Sequence, residues 1–421
     1  MRQDAAAANG QAIELRRQGK LPESIGAFRD AIALFPREIA LHQNLAHALY
    51  ESGDTPQAIV AHERALMLDP RSVSSHLALY ELLQITGERK AALEHQREAF
   101  ESQRLFSHAA PNEKRSVLLL CAPGDWQANI PVDFLLDRST TSAHKLYLID
   151  AVHLQRDTIP PHDVVWNAIA ESPDAAPYLS LAESVFSADR KPRLNEPARV
   201  LATARLLLPQ TLGASGAIAA PTTEIPRESL ERGEVPFALP VIVRPVGSHA
   251  GMGLEKIGMM QEFAAYALRV EAQRYFVSPF IDYSSADGLF RKYRIVFVDG
   301  EPYPVHLAIS PKWMIHYYNA PMSENLWMRN EEAAFLENLR RVFDGSIYDV
   351  LLAIARAVRL EYFGIDCAIT RDNRVLVFEA DPAMLVHTSD PVELYPYKHQ
   401  YVPRIYRALE RMIDAVKVAD T

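Results

Sequence analysis

Small residues and glycine recur every 34 residues through the first quarter of the chain. Gly19, Gly53 and Gly87 are 34 apart, and so are Ala31, Ala65 and Ala99. Pro36 and Pro70 keep the same spacing, as do Ala12 and Ala46, while Ser24, Ala58 and Ala92 form another column of small residues. Self-similarity at such a period means that each repeat is one supersecondary unit. It cannot bury its apolar face alone, so neighbours must stack. Small residues suit the points where two helices cross closely, glycine turns the chain between them, and proline follows the second helix. A plain bundle has no reason to keep several columns in one register. The spacing predicts an α-helical array over residues 1–110.

This pattern resembles three tetratricopeptide (TPR) repeats. The resemblance implies a curved array whose groove takes a peptide or protein partner. Three repeats are near the minimum for stability. The array is therefore expected to lean on the domain behind it or on a second copy, as in a homodimer.

At 421 residues there is room for two or three domains, and a hydrophobic content of 48% supports real cores. A net charge of −9 and the lack of any Lys/Arg-rich run argue against non-specific nucleic-acid binding. No apolar stretch approaches the ~18 residues of a membrane span. The first ten residues lack the apolar region of a signal peptide, so a cytoplasmic protein is expected. Cys121 and Cys367 lie in apolar strands and read as free thiols of a reducing compartment. No C-x-x-C or His/Cys cluster suggests zinc. A polar linker, Ala110 to Ser116, leads into an α/β domain over residues 111–226. There, Lys145–Asp150 reads as a strand and Asp163–Ser172 as a helix. An α+β domain follows over residues 227–421.

Within that last domain, Leu239 to Ile257 stands out. The β-branched strand Val241–Val243 runs into Arg244, and glycines follow at Gly247, Gly251 and Gly253. Such glycines let backbone N–H groups turn toward an anion, and the cation beside them would share the charge. No G-K-[ST] closes the loop, so it is not a Walker loop, and nothing marks it as a dinucleotide fingerprint. An ordinary hairpin is the alternative.

A second constellation runs from Tyr362 to Pro382. It reads as two strands joined by a turn at Arg371–Asn373. Asp366 lies at the start of the first strand, and Glu379 and Asp381 end the second. Period two puts Glu379 and Asp381 on one sheet face with Val375 and Val377, and Leu376 and Phe378 on the other. Three hard oxygen donors suit Mg²⁺, which keeps waters and takes further ligands from phosphate. Acids on a solvated strand end are the alternative.

Together these elements resemble the ATP-grasp superfamily, in its carboxylate–amine ligase branch, over roughly Arg115 to Asp414. The resemblance implies a pre-ATP-grasp α/β domain followed by an α+β ATP-grasp domain, with ATP and Mg²⁺ as cofactors. By the same resemblance Arg205 and Arg244 hold phosphates and Gly247, Ser248, Gly251 and Gly253 form the covering loop. Phe280 and Ile281 supply the adenine hinge, Arg294 is the catalytic cation, and Asp366, Glu379 and Asp381 are the metal ligands. The departures are specific. Both usual lysines are arginine, which binds phosphate bidentately with a permanent charge. The usual hinge acid is replaced around Ser278–Pro279, with Asp282 and Asp287 as substitutes for holding ribose. Asp381 stands where the family has asparagine.

The activity so implied joins a carboxylate to an amine through an acyl phosphate, on a peptide or small natural product. A phosphotransferase and a non-catalytic TPR protein with a structural ATP site are the alternatives. In the aromatic stretch between His306 and His316, Lys312, Trp313 and His316 are candidates to face the acceptor or acyl phosphate, with core packing as the alternative. His249 in the glycine loop would touch a phosphate or cap the turn, and His387 after the metal strand is a candidate substrate contact. No G-x-S-x-G is present, which argues against a serine hydrolase.

Overall fold

A computed structural model describes residues 4–151, 158–248, 251–315 and 319–419. The chain forms two compact units. One holds residues 1–106 with the segments 123–126 and 145–149, and the other holds the rest.

Six helices build the array of the first unit: α1 (Ala5–Arg17), α2 (Leu21–Leu34), α3 (Ile39–Glu51), α4 (Thr55–Leu68), α5 (Val73–Ile85) and α6 (Arg89–Ser102). The first helices of the three pairs start 34 residues apart, and so do the second helices. Each first helix ends on the repeating glycine. Gly19, Gly53 and Gly87 take φ of 74°, 87° and 88°, a region open to glycine without a Cβ clash. The following residue then donates back across the helix end in all three repeats. Lys20 bonds Leu15 O at 3.0 Å, Asp54 bonds Leu49 O at 2.9 Å and Glu88 bonds Leu83 O at 2.8 Å. These bonds satisfy carbonyls that a helix end leaves open. Ala12, Ala46 and Ala58 are fully buried where helices cross, around Phe28 and Leu41. Gly124, in one of the later segments, is clasped by Tyr80 Oη at 2.7 Å and by both ends of the Gln96 amide at 2.8 and 2.9 Å.

The strands that follow make three sheets. β1 (Leu105–His108), β2 (Arg115–Cys121), β3 (Thr141–Tyr147), β4 (Val164–Asn167) and β5 (Arg193–Leu194) are ordered β1-β3-β2-β4-β5. The expected helix over Asp163–Ser172 is instead strand β4 with a short extension. Val164, Val165 and Trp166 are β-branched or aromatic, and parallel pairing with β2 and β5 buries the strand along its length.

Strand β6 (Ile218–Ala219) pairs far ahead in the chain. β7 (Thr223–Pro226), β8 (Val241–Pro245), β9 (Glu255–Ile257) and β10 (Arg274–Pro279) form an antiparallel sheet ordered β7-β10-β8-β9. β11 (Phe290–Val298), β12 (Glu301–Ser310), β13 (Tyr362–Ile369) and β14 (Val375–Asp381) form the third sheet, ordered β12-β11-β13-β14-β6. Thus β6 and β7, which lie before the boundary expected at residue 226, are hydrogen-bonded into the two later sheets. Cys121 and Cys367 are buried free thiols. No helix among the described residues is long and apolar enough to cross a membrane.

Candidate functional site

The smaller sheet, β7–β10, has two unlike faces. Val241 and Val243 point to a core that includes Ile257, Tyr275, Val277 and, from the helix Glu262–Arg269, Phe263 and Tyr266. Alternation puts Arg244 on the other face, opposite Phe276. Arg244 is buried and turns back onto its own loop. Its Nε donates to Ser248 Oγ at 3.1 Å and its Nη2 to Ser248 O. Ser248 Oγ donates in turn to Pro245 O at 2.8 Å. The far end of the loop is also pinned, by Tyr266 Oη on Gly253 O at 2.6 Å. Gly253 has φ of 65°, and a Cβ there would stand 2.8 Å from Pro245 Cδ, so only glycine fits. Gly247 and Gly251 also take positive φ, with open space where a Cβ would go.

The larger sheet carries charge on one face. Arg294 of β11 lies opposite Asp366 of β13, which lies opposite Glu379 of β14. Opposite residues share a face, and Lys292, two before Arg294, shares it too. Asp366 is answered at both oxygens. Lys292 Nζ and Arg294 Nη2 donate to Oδ2 at 2.8 and 3.0 Å, and Arg294 Nε donates to Oδ1 at 2.8 Å. These cations hold the Asp366 carboxyl well below its usual range against the cost of burial. Glu379 Oε2 accepts from Arg205 Nη2 at 2.5 Å, and Arg205 Nη1 reaches Phe378 O at 3.4 Å. Arg205 chiefly offsets the burial of Glu379 and keeps its pKa low. Asp381 differs. Burial, then Glu379, push its pKa up to about 6, and its Oδ1 accepts from the Ala383 N–H at 2.7 Å.

One face assignment is corrected here. A β-bulge shifts the register beside Asp366: Glu379 pairs with Asp366 but Val377 pairs with Cys367 and Leu376 with Ala368. The extra residue, Phe378, breaks the alternation of the strand. Leu376, not Val375 or Val377, therefore shares the face of Glu379 and Asp381.

Arg244 links the two sheets electrostatically. Burial and then Arg205 lower its pKa to about 10, while Glu379 raises it. Arg205 and Glu379 are thus close enough to Arg244 for their charges to act on it.

The remaining candidates divide. The Phe280 amide is already used, donating to Pro240 O at 3.0 Å, because the strand pairing of β10 with the Pro240 segment runs one residue past its end. Its ring meets Trp313 edge-on with centroids 5.7 Å apart. Ile281 packs in the apolar cluster around Tyr283 and Phe290. Asp287 is held by Arg291 at 3.0 and 3.1 Å, and Asp282 accepts from the Ser284 N–H at 2.9 Å. His306 lies opposite Arg294 and is buried, with its pKa driven well down by burial and Arg294. His387 Nδ1 accepts from the Ser389 N–H at 3.2 Å. The Lys312 backbone N–H bonds Ser310 Oγ at 3.1 Å. His249 and His316 lie outside the described residues.

Sequence reading missed several groups. Lys292 was legible in principle, since period two from Arg294 places it beside Asp366. Glu171 carried no signal. It follows the β4 extension, burial raises its pKa, and Arg205 works against that rise. Lys398 and Glu332 are buried 3.3 Å apart, with Tyr397 Oη on Glu332 at 2.6 Å.

Among the described residues no group of three His, Cys, Asp or Glu side chains gathers as one metal site. Asp366 is turned to its two cations, but no described residue donates to Glu379 Oε1 or Asp381 Oδ2. Glu379 and Asp381 are half-buried and two residues apart on one sheet face, one of them with a raised pKa, and such carboxylates fit a hard divalent cation that keeps waters.

No protein-family model matches this chain, and no curated protein matches it. Among solved structures it is similar to D-alanine–D-alanine ligase from Bacillus anthracis complexed with ATP, at 12% identity and a TM-score of 0.43 over 72% of this chain and 98% of that one. A second structure of that ligase gives 10% identity and 0.44 over 73% and 99%. VanG D-Ala:D-Ser ligase from Enterococcus faecalis gives 10% identity and 0.44 over 72% and 99%. At these identities and scores the likeness says nothing of substrate or mechanism, which the residues of the site must carry.

Proposed function

We propose that this chain is an ATP-grasp ligase that joins a carboxylate to an amine with hydrolysis of ATP to ADP and phosphate. The supporting observation is that Arg205 is bonded to Glu379 on the acid face while Arg244 heads the glycine loop and feels both of them. Arg205, now held by Glu379, and Arg244, now held by the neutral Ser248, are two cations that a polyphosphate could take up. In the first step a substrate carboxylate oxygen attacks the γ-phosphorus and ADP leaves. In the second, the amine nitrogen attacks the acyl carbon, the C–O bond to phosphate breaks, and the amine proton leaves to solvent.

Catalysis of this kind is mainly positioning and charge neutralisation. Arg205 would exchange Glu379 for phosphate oxygens, and Arg244 would turn from Ser248 to the same group. The loop carrying Gly247, Ser248, Gly251 and Gly253 would then cover the phosphates. Arg294, with Lys292 behind it, would neutralise the charge that grows on the acyl phosphate and its tetrahedral successor. Glu379 and Asp381 would hold Mg²⁺, with Asp366 fixing the cations beside them. When bound, Mg²⁺ supplies charge neutralisation at the phosphate oxygens.

The helical array reads as three TPR repeats, which favours a peptide or carrier protein as one substrate or partner. Buried free thiols support a reducing, cytoplasmic setting. The test is ADP release from ATP and Mg²⁺ in the presence of a library of amino acids and short peptides, with the product weighed by mass spectrometry. A ligase gives a condensed product that contains both partners and is absent with Glu379→Gln. A phosphorylated but uncondensed product would instead indicate a phosphotransferase.

A further inference from the structure

We infer that Lys256 positions the base end of the nucleotide. The inference rests on the ATP reading above and adds a residue that no motif singled out. Lys256 lies in β9 opposite Ile242 of β8, which lies opposite Ser278 of β10. The three form one row on a single sheet face. Arg244 and Phe276 form the next row of that face. The other face is buried in the core with Val241, Val243 and Ile257. Lys256 therefore stands beside the phosphate arginine, one row nearer the end of β10 and the residues that follow it.

The ammonium of Lys256 lies 3.6 Å from the centroid of the Phe280 ring. That ring is steadied edge-on by Trp313. A cation over an aromatic face is held by the ring quadrupole with about 0.5–1 kcal/mol at an exposed site. The contact restrains a long side chain that would otherwise sample many rotamers. It leaves ammonium N–H donors pointing away from the ring. Alongside, Pro279 has no N–H and the Phe280 amide is bonded to Pro240 O. A base presenting a ring nitrogen or carbonyl to this edge would find its donor in Lys256. The ligand class is thus a nucleobase with an acceptor on that edge, attached to the polyphosphate that Arg244 meets.

Titration calorimetry on the full chain tests this with two probes: a non-hydrolysable ATP analogue and inorganic tripolyphosphate, which has phosphates but no base. Lys256 is exposed on an edge strand, so Lys256→Met should keep the fold, checked by an unchanged thermal midpoint. Lys256→Met is expected to weaken the ATP analogue by about 10- to 150-fold, the loss of one hydrogen bond from a charged donor. Lys256→Arg should retain most of the affinity, and tripolyphosphate should bind all three proteins alike. Unchanged ATP affinity in Lys256→Met, or equal weakening of both probes, would overturn the assignment. Wild type that binds tripolyphosphate and ATP equally well would remove any base subsite. Wild type that binds neither would overturn the ATP reading itself, and this inference with it.

Discussion

In the helical array the buried polar side chains are neutral. His62 is 2% exposed, burial holds its pKa down to about 4, and the fully buried Ser24 answers the carbonyl of Ala12 at 2.8 Å. The second unit also buries neutral polar side chains, but among the described residues it alone of the two buries charged ones, among them Arg115, Glu332, Asp366 and Lys398. Asp366, also 2% exposed, takes three hydrogen bonds from Lys292 and Arg294. Replacing a buried ion pair by apolar groups is often neutral or stabilising. A fold therefore has no need of one, and the array does without. Around Asp366 the charges of Lys292, Arg294 and Glu379 stand together on one sheet face, where a ligand of opposite pattern would use them. Where burial is neutral the residues serve packing. The ionic cluster around Asp366 lies where the proposed chemistry would take place.

The sharpest way to break this contrast is to remove the central acid. Asp366→Ala leaves Lys292 and Arg294 half-buried without their partner. The loss should be about 3–5 kcal/mol, the cost of breaking one side of a buried pair. Urea unfolding measures it. A loss under ~1 kcal/mol would mean that solvent already screens the pair and that the face is an ordinary rim.

Acid sharpens the comparison from the other side. His62 is held below its usual pKa of 6.5, so the unfolded chain takes up the proton first. Its stabilising contribution is present above pH 6.5 and is lost as pH falls toward 4, up to about 3 kcal/mol at 1.36 kcal/mol per unit. His47 and His95 are shifted the same way, chiefly by burial. Asp366 is shifted down, so its contribution persists over that range and falls only below the usual carboxylate pKa. Urea unfolding at pH 7 and pH 4.5 should therefore show a loss in wild type that His62→Leu reduces. The same pH dependence in both proteins would show that His62 is hydrated rather than buried neutral.

A smaller effect tests the glycines. Gly19, Gly53 and Gly87 have open space where a Cβ would go, so alanine should cost only the left-handed backbone, about 1 kcal/mol at each. Gly253→Ala should cost about 2–3 kcal/mol, because its Cβ would also meet Pro245 and, at 2.9 Å, Val270 Cγ1. Unequal costs among the three array glycines would show that the repeats are not equivalent.

The same contrast explains what could be read from the amino acids alone. The array was legible because its constraint is periodic: the residues that cross, turn and cap recur at one spacing. The acids and arginines of the site were legible as residue types in order along the chain. Their partnerships were not. Arg205 meets Glu379 across 174 positions, and Asn195, with φ of 55°, uses its side chain to pair with both backbone groups of Tyr362. No local pattern encodes such distances. The face of β14 was misread because one bulged residue, Phe378, reverses a period-two argument for everything before it. The helix expected at Asp163–Ser172 failed because parallel neighbours on both sides override a short apolar run.

The central claim is that Arg244 leaves Ser248 to meet nucleotide phosphates. Its most direct test is titration calorimetry of a non-hydrolysable ATP analogue with Mg²⁺ into wild type, Arg244→Lys and Arg244→Ala. Lysine keeps the charge but loses the bidentate fork, so binding should weaken by about 1–3 kcal/mol. Alanine should cost more, since phosphate charge is left uncompensated and the Ser248 clasp is lost. Equal affinity of wild type and Arg244→Ala would place Arg244 outside the nucleotide site and contradict the account.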